Sequence, residues 1–279
     1  MRFVSYRQQG IYSWGALEGD KIFDLSNVAS SLISAIAYSS LPQSSDDIEK
    51  DELNLSLSDV TLLPPIPEPR RIICIGQNYA AHRDEMGGAS TSSPLIFTRF
   101  PSSIVGHNEV LIKPPESEQF DFEGELAVII GSSGRRIAPE NALSHIAGYS
   151  CFMDGSIRDY QIHTTQYIPG KNFEQSGSFG PWMLSADEIP NPNSGLSLQT
   201  RLNGELVQET TTDLMIFDIP TVIAYLSTFT TLEPGDVIAS GTPGGVGYKR
   251  KPQLFMKPGD KIEVKIENVA TLTNSIIAE

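Results

Sequence analysis

A chain of 279 residues can bury one large core, or the core of a main domain together with that of a small appended domain. The 34 acidic and 20 basic side chains give a formal net charge of −14, which argues against a nucleic-acid partner because phosphate binding needs clustered Lys and Arg. The 23 glycines and 19 prolines indicate many turns and therefore many strands. No stretch has the apolar length of a membrane span and the first residues lack a signal peptide's apolar core, so we expect a cytoplasmic protein with no membrane partner.

The first 63 residues are predicted to form a small α+β domain. Apolar spacing predicts a helix within residues 28–38, and the polar stretch 41–52 predicts a surface loop or a short helix. Closely spaced prolines in residues 64–69 can continue neither a helix nor a central strand. Residues 64–71 are therefore predicted to link this domain to a main domain at 72–279. The strands predicted in the first domain span residues 3–7, 13–17 and 21–25.

The main domain is strand-rich, and its elements do not alternate regularly between strand and helix, which disfavours a doubly wound parallel sheet. Asn203-Gly204 is a strong hairpin signal. The clearest helix is 219–229, because Asp218 can cap it and apolar residues line one face. The predicted fold class is therefore mixed α/β and strand-rich. The predicted strands span residues 72–75, 126–130, 150–153, 197–202, 206–208, 237–240 and 261–266.

A group of acidic residues precedes one of these strands. Asp121, Glu123 and Glu125 are two residues apart, so on a strand they would share one face and lead into the apolar run 126–130. Like charges so placed repel one another, and a hard divalent cation would remove the conflict. Asp154 ends a second apolar strand, where it can present another ligand atom. The alternatives are a solvated strand end for the first three acids and an ordinary turn residue for Asp154.

The segment 78–86 follows a predicted strand and a glycine turn, and it carries a candidate general base. If this segment is helical, His82 and Glu85 are one turn apart and can touch. Such a pair can abstract a proton or activate a water molecule. The alternative is an ordinary exposed ion pair on a helix.

Cationic and amide groups for an anionic substrate are predicted at three places. Lys171 lies among few other cations and could hold a carboxylate or an enolate oxygen. Arg99 lies among apolar residues, so its stem is expected to be buried. The backbone amides of residues 241–247, after a predicted strand, could cradle an anion, although the loop lacks the ending of a phosphate-binding Walker motif. The alternatives are a surface lysine and a tight connection between strands.

Taken in chain order, these motifs resemble the fumarylacetoacetate hydrolase family. The resemblance extends from about residue 70 to the end of the chain, and the ordered set is specific although each motif is weak alone. The residues that carry it are Gly76-Gln77-Asn78-Tyr79 with His82 and Glu85, Pro101-Ser102-Ser103-Ile104-Val105-Gly106, Phe122-Glu123-Gly124-Glu125-Leu126-Ala127-Val128, Asp154-Gly155-Ser156-Ile157-Arg158-Asp159-Tyr160-Gln161, Lys171 with Phe173, Phe179-Gly180-Pro181, Gly235-Asp236, and Gly241-Thr242-Pro243-Gly244-Gly245-Val246-Gly247.

The resemblance implies a catalytic domain built as a β-sandwich roll, usually in homodimers, behind a small N-terminal domain. It implies that Glu123, Glu125 and Asp154 bind Mg²⁺ or Mn²⁺, whereas Asp121 matches no ligand of the family. It also implies that His82 and Glu85 form a catalytic dyad on a lid over the bound ligand. The residues expected to contact a small anionic oxo acid are Lys171, which is also expected to act in catalysis, and Arg99, Gln161, Gly241 and Thr242.

The implied activity is hydrolysis of a C–C bond in an acylpyruvate-type acid, a 2,4-dioxo or fumarylpyruvate-like compound. The metal ion would stabilise an enolate, and Glu85 assisted by His82 would activate the attacking water. An alternative with the same residues is isomerase, tautomerase or decarboxylase chemistry on a 2-oxo or 2-hydroxydiene dicarboxylate, such as oxaloacetate or 2-hydroxyhepta-2,4-diene-1,7-dioate. A third hypothesis is a family member that binds its ligand without turnover, which the intact acids, dyad and lysine disfavour. Two departures leave the substrate open: Met153 stands where many relatives have Asn, and Arg99 where many have Lys.

Overall fold

The computed structural model of the protein describes residues 1–48 and 54–279, so the predicted stretch 41–52 lies partly outside the described residues. The strands are β1 (Arg2–Gln8), β2 (Ile11–Glu18), β3 (Lys21–Asp24), β4 (Asn54–Ser56), β5 (Thr61–Leu62), β6 (Ile72–Gly76), β7 (Leu95–Arg99), β8 (Ile104–Val105), β9 (Val110–Lys113), β10 (Phe120–Asp121), β11 (Gly124–Ile130), β12 (Ile146–Met153), β13 (Ser156–Ile157), β14 (Gly177–Ser185), β15 (Ser197–Leu202), β16 (Glu205–Thr211), β17 (Val237–Ala239), β18 (Lys261–Ile266) and β19 (Ala270–Ala278). The α-helices are α1 (Leu32–Ala37), α2 (Ala80–Met86), α3 (Arg158–Gln161), α4 (Ile168–Lys171) and α5 (Ile219–Phe229). Short 3₁₀ helices span Ser45–Asp47, Leu57–Asp59, Pro101–Ser103, Pro139–His145, Ala186–Glu188, Thr212–Leu214 and Gly247–Lys249.

The larger of the two main sheets contains twelve of these strands. Its strand order is β4-β3-β2-β1-β14-β12-β11-β17-β6-β7, with β5 paired to β1 and β8 paired to β14. The β6–β17 and β8–β14 pairs are parallel, whereas β11 lies antiparallel to both of its neighbours. The beginning of β11 therefore lies beside the end of β12, and the two strands present side chains at a shared edge.

A second sheet, in the order β16-β15-β18-β19-β9, packs against the first through contacts of β15 and β18 with β11 and β12. All seven residues of β11 are buried. Leu126 and Val128 point into one hydrophobic cluster, and Ala127 and Ile129 point into another on the opposite face. The acidic residues at the start of β11 are thus held by a strand that is packed on both faces.

Local chemistry explains the elements that were predicted most closely. Asn203 and Gly204 both have positive φ, at 53° and 84°, which a tight two-residue hairpin turn requires. Helix α5 has the predicted bounds, and its Asp218 cap accepts a hydrogen bond from the Thr221 backbone N–H at 2.9 Å. Among the described residues, no helix combines the length and the apolar composition needed to cross a bilayer.

The N-terminal strands extend the large sheet. Strand β1 pairs with β14, where Phe3 lies opposite Met183, and Phe3 and Trp14 share a buried cluster with Phe152 and Phe179. The two parts of the chain thus share one sheet and one hydrophobic cluster. The division into residues 1–63, a linker at 64–71 and a catalytic domain at 72–279 stays a prediction.

Candidate metal centre and active site

Three buried carboxylates converge at the edge formed by β11 and β12. Glu123 and Glu125 flank Gly124 at the start of β11, and Asp154 directly follows β12. The Asp154 N–H donates to the Glu123 carbonyl at 2.8 Å, which aligns the two segments. One carboxylate oxygen of each acidic residue lies within 4.8 Å of those of the other two. The structure therefore brings together the three residues that were predicted to bind a metal ion.

Asp121 does not belong to this group, and the prediction that it shares a strand face with Glu123 is wrong. The strand is interrupted after Asp121, which pairs with Ser156 in a separate two-stranded sheet. Its carboxylate accepts hydrogen bonds from the Gly247 N–H at 2.8 Å and from Arg158 Nε at 2.8 Å. Side chains alternate between faces only along a continuous strand, so the two-residue spacing of Asp121 and Glu123 does not put them on one face.

Three cations neutralise two of the metal-site carboxylates. Lys171 Nζ lies 2.7 Å from Glu123 Oε2 and 2.6 Å from Asp154 Oδ2. Arg158 Nη1 lies 2.6 Å from Glu123 Oε1, and Arg99 Nη1 lies 2.7 Å from Asp154 Oδ1. Burial alone would raise the pKa of Glu123, but Lys171 and Arg158 outweigh burial and hold that pKa well below its usual range.

Glu125 has no such partner, since no ion pair among the described residues reaches it. Its Oε2 accepts a hydrogen bond from the Gly241 N–H at 2.9 Å. Burial, followed by repulsion from Asp154 and Glu123, raises the pKa of Glu125 well above its usual value. A divalent cation among the three carboxylates would relieve this repulsion, and carboxylate oxygens are ligands that Mg²⁺ and Mn²⁺ prefer. The residues present therefore fit a metal ion of this kind.

Lys171 itself is fully buried, and its ammonium group also lies 4.9 Å from the centre of the Phe97 ring. Burial alone would lower the pKa of Lys171, but the charges of Asp154 and Glu123 outweigh it and raise that pKa. The two carboxylates thus favour the ammonium form of Lys171.

A cavity of about 220 Å³ is lined by two of these carboxylate residues, Glu123 and Glu125. A larger cavity of about 460 Å³ lies beside the N-terminal strands, but it contains none of the predicted site residues. Chemistry therefore identifies the smaller cavity as the candidate active site, and its volume suits a small acid. The polar residues that line it include Gln77, His82, Glu123, Glu125, Arg158, Gln161, Lys171 and Thr242.

The predicted dyad lies on helix α2 at the wall of this cavity. His82 Nδ1 and Glu85 Oε1 are 2.8 Å apart, and Glu85 Oε2 accepts the Gly245 N–H at 3.0 Å. Burial alone would raise the pKa of Glu85, but the hydrogen bonds from His82 and Gly245 outweigh it and lower that pKa. Glu85 is therefore ionised at neutral pH and can only accept, so Nδ1 carries the shared proton and Nε2 is available to the cavity. The side chains are only 6% and 23% exposed, which argues against the alternative of a solvated surface ion pair.

Arg99 and Gly241, predicted to bind substrate, have other partners in the structure. The guanidinium of Arg99 makes five hydrogen bonds, to Asp154, Gly155, Ser176 and both the side chain and the carbonyl of Ser103. An arginine has five N–H donors, so none remains for a substrate. The Gly241 N–H is bonded to Glu125. Both residues thus support metal-site carboxylates, and neither lines the cavity over them.

Two functional residues were missed in the sequence. Arg158 bridges Asp121, Glu123 and Gln161, whose Oε1 accepts from Arg158 Nη1 at 2.8 Å. A signal was available, because Arg158 is a cation four residues after the predicted ligand Asp154 in an acidic chain. Gln208 contacts the backbone of Gly124 from the second sheet, and no local pattern marks it.

Replacing Asp121 with Asn is expected to lower the free energy of unfolding by about 2 kcal/mol, because the buried Arg158 loses one of its two charge partners and keeps Glu123. Urea denaturation measures this change. The matched control is Glu118→Gln, which removes the partner of Lys113 from a pair in which the Glu118 side chain is 85% exposed. That substitution should change stability by less than about 0.5 kcal/mol. Equal effects of the two substitutions would contradict a structural role for Asp121.

Two protein-family models match this chain. A family model described as "Fumarylacetoacetate (FAA) hydrolase C-terminal" matches residues 71–277, and one described as "Rv2993c-like, N-terminal" matches residues 1–65. The chain therefore belongs to the fumarylacetoacetate hydrolase family, as the ordered motifs predicted.

Two of the relatives that this chain resembles are both named oxaloacetate tautomerase. The chain is 41% identical to oxaloacetate tautomerase YisK of Bacillus subtilis over 270 residues, which cover 92% of this chain and 89% of the relative. It is 39% identical to the human mitochondrial oxaloacetate tautomerase FAHD2A over 225 residues, which cover 80% of this chain and 71% of the relative.

Solved structures confirm the strand-rich mixed α/β fold of this family. A fumarylacetoacetate hydrolase from Exiguobacterium antarcticum aligns with a TM-score of 0.88 and 38% identity, over 100% of both chains. Maleylpyruvate hydrolase from Sphingobium sp. SYK-6, in complex with manganese(II) and pyruvate, aligns with a TM-score of 0.83 and 26% identity, over 100% of this chain and 99% of that one. This protein is therefore a member of an enzyme family, and its Glu–Glu–Asp group could bind a metal ion.

Proposed function

We propose that this protein is a metal-dependent tautomerase that interconverts the keto and enol forms of oxaloacetate or a closely similar 2-oxo dicarboxylic acid. The observation that carries the proposal is the Glu85-oriented His82, which faces a small cavity beside three carboxylates and a buried lysine. The names of the relatives favour tautomerisation over C–C hydrolysis, which was the main hypothesis from the sequence. Mg²⁺ or Mn²⁺ is the proposed metal, held by Glu123, Glu125 and Asp154.

Tautomerisation moves one proton between C3 and the oxygen on C2, so it needs a base and a stabilised negative charge but no attacking water. A bound Mg²⁺ or Mn²⁺ ion would polarise the 2-oxo group and stabilise negative charge on its oxygen. His82 Nε2 is the proposed acceptor of the C3 proton, because Glu85 orients the ring through Nδ1, and the same nitrogen would then donate that proton to the oxygen on C2. Lys171 supplies a fixed positive charge for a substrate carboxylate, and Gln161 and Thr242 offer polar contacts at the cavity wall.

Direct measurement of the two tautomers tests this proposal. With Mg²⁺ present, the protein is expected to accelerate the decay of the enol's ultraviolet absorbance in fresh oxaloacetate well beyond the rate with Mg²⁺ alone. Pyruvate should not accumulate faster than in the control without protein, because the proposed reaction breaks no C–C bond. Faster pyruvate release from oxaloacetate, without faster tautomerisation, would identify a decarboxylase instead.

Hydrolysis of an acylpyruvate is the second candidate, because a solved maleylpyruvate hydrolase shares the fold over the whole chain. It requires Glu85 and His82 to activate water rather than to accept a carbon-bound proton. Incubation with fumarylpyruvate and other acylpyruvates separates the two candidates, since only hydrolysis yields pyruvate and a second acid. Homodimer formation and a cytoplasmic location remain predictions, testable by light scattering and by fractionation of the source cells.

A further inference from the structure

Gln208 connects the second sheet to the metal-binding strand. It lies in β16 and is only 2% exposed, and its side chain reaches the start of β11. Gln208 Oε1 accepts the Gly124 N–H at 3.0 Å, and Nε2 donates to Thr242 Oγ1 at 2.9 Å and to the Pro243 carbonyl at 3.1 Å. Gly124 is the residue between Glu123 and Glu125, so this contact lies at the centre of the metal-binding segment.

The direction of every hydrogen bond in this group follows from the backbone. A backbone N–H can only donate and a carbonyl can only accept, so Gly124 and Pro243 together leave one orientation for the Gln208 amide. Thr242 Oγ1 also lies 3.0 Å from the Gly124 carbonyl, which must accept the single hydroxyl proton. Turning that proton elsewhere would leave a buried carbonyl without this partner.

Thr242 lines the cavity together with Glu123 and Lys171, and its hydroxyl can offer a ligand there only a lone pair. One lone pair of its oxygen is taken by Gln208, its proton is taken by Gly124, and the second lone pair is free. A hydroxyl in this state can accept a hydrogen bond from a ligand but cannot donate one. A ligand carboxylate or carbonyl oxygen gains nothing from it, whereas a ligand O–H does.

We infer that Thr242 is a specificity-determining residue that accepts a hydrogen bond from a ligand hydroxyl, and that Gln208 is the positioning residue that enforces this role. This inference rests on the proposed function, in which the enol form carries an O–H on C2 and the keto form does not. The site would thus recognise the enol through Thr242, beside the fixed positive charge of Lys171.

Lactate and pyruvate are a matched pair of probes, because they share carbon skeleton and charge and differ only in a hydroxyl against a carbonyl on C2. Calorimetric titration of each acid is carried out with Mg²⁺ present, using both lactate enantiomers. The isosteric Thr242→Val variant is expected to bind lactate about fivefold to tenfold more weakly, the scale of one hydrogen bond. Its affinity for pyruvate should stay within about twofold, because the wild-type hydroxyl donates nothing to a carbonyl.

Further variants separate positioning from general damage. Thr242→Ser keeps the hydroxyl and should keep the wild-type ratio of the two affinities. Gln208→Leu removes one of the two contacts that fix Thr242 Oγ1, the other being the Gly124 carbonyl, and should shift the ratio towards pyruvate, while thermal melts confirm folding. If Gln208→Leu does not fold, the two Thr242 variants still decide the question.

The inference would be overturned if Thr242→Val weakened the binding of both acids equally, changed neither affinity, or weakened the binding of pyruvate more than that of lactate. These titrations need no turnover. If Thr242→Val selectively loses affinity for lactate but the wild-type protein has no tautomerase activity, only the proposed function is contradicted. If the wild-type protein is a tautomerase but Thr242→Val shows no selective loss, only the role of Thr242 is contradicted.

Discussion

Replacing Glu125 with Ala is expected to weaken Mg²⁺ binding by more than about 100-fold and to abolish activity while the protein remains folded. Loss of a group that merely orients a metal ligand typically costs 10–100-fold in affinity, and loss of a ligand itself should cost more. The fold should survive because Glu125 is buried against Asp154 and Glu123 without an ion pair, so its removal relieves repulsion.

Calorimetric titration with Mg²⁺ and with Mn²⁺ measures the metal affinity of the wild type and the variant. The same titrations show which ion binds more tightly. Glu118→Ala is the matched control, since it removes a highly exposed carboxylate and should leave metal affinity unchanged. Unchanged metal affinity in Glu125→Ala would refute the assignment of this carboxylate as a ligand. A loss of folded protein in metal-free buffer would contradict the argument from repulsion.

The second large effect concerns the dyad. Glu85→Gln is expected to reduce tautomerase turnover by about 10²-fold or more, the usual scale for a disabled general base, because it removes the charge that supports His82 as the proposed base. The neutral amide no longer stabilises a positive charge on His82, although its oxygen can still accept a hydrogen bond from His82 Nδ1. His82→Asn should cause a loss of similar size. The double variant should lose little more than either single variant, because the two residues act as one unit.

Steady-state kinetics of the four forms give this comparison, with metal affinity measured alongside. Asp84→Asn provides the control on the same helix, because the Asp84 side chain is 68% exposed and its ion-pair partner among the described residues is the neighbouring Arg83. Additive losses in the double variant would show that His82 and Glu85 act separately. Wild-type turnover in Glu85→Gln would leave the pair without a catalytic role.

Features that depend on local chemistry were predictable from the sequence. The cap of α5 and the Asn203-Gly204 turn depend only on residues that are neighbours in sequence, and both were predicted at the positions where the structure has them. Glu123, Glu125 and Asp154 were also predicted to meet, because the family resemblance supplied what spacing alone left open between a metal site and solvated acids. The same local rules failed at Asp121, where the strand stops and alternation no longer applies.

Features that depend on distant partners were not predictable. Arg99 looked available to a substrate, but Asp154 and Ser176, which occupy its donors, lie 55 and 77 residues away in sequence. Gln208 reaches Gly124 across 84 residues and between two sheets. A sequence pattern reports the face on which a side chain lies, whereas these roles depend on which distant segments the fold brings into contact with that side chain.

The pairing of β1 with β14 has a consequence for chain architecture. On one side β14 is bonded to β12, and on the other its Met183–Leu184 end is covered by β1. Without the first strand, the backbone N–H and carbonyl groups at that end would form an open sheet edge above the apolar side chains of Phe152 and Met183. Open edges of this kind recruit strands from other molecules. The N-terminal segment thus covers a sheet edge that would otherwise be open to pairing with a strand of another molecule.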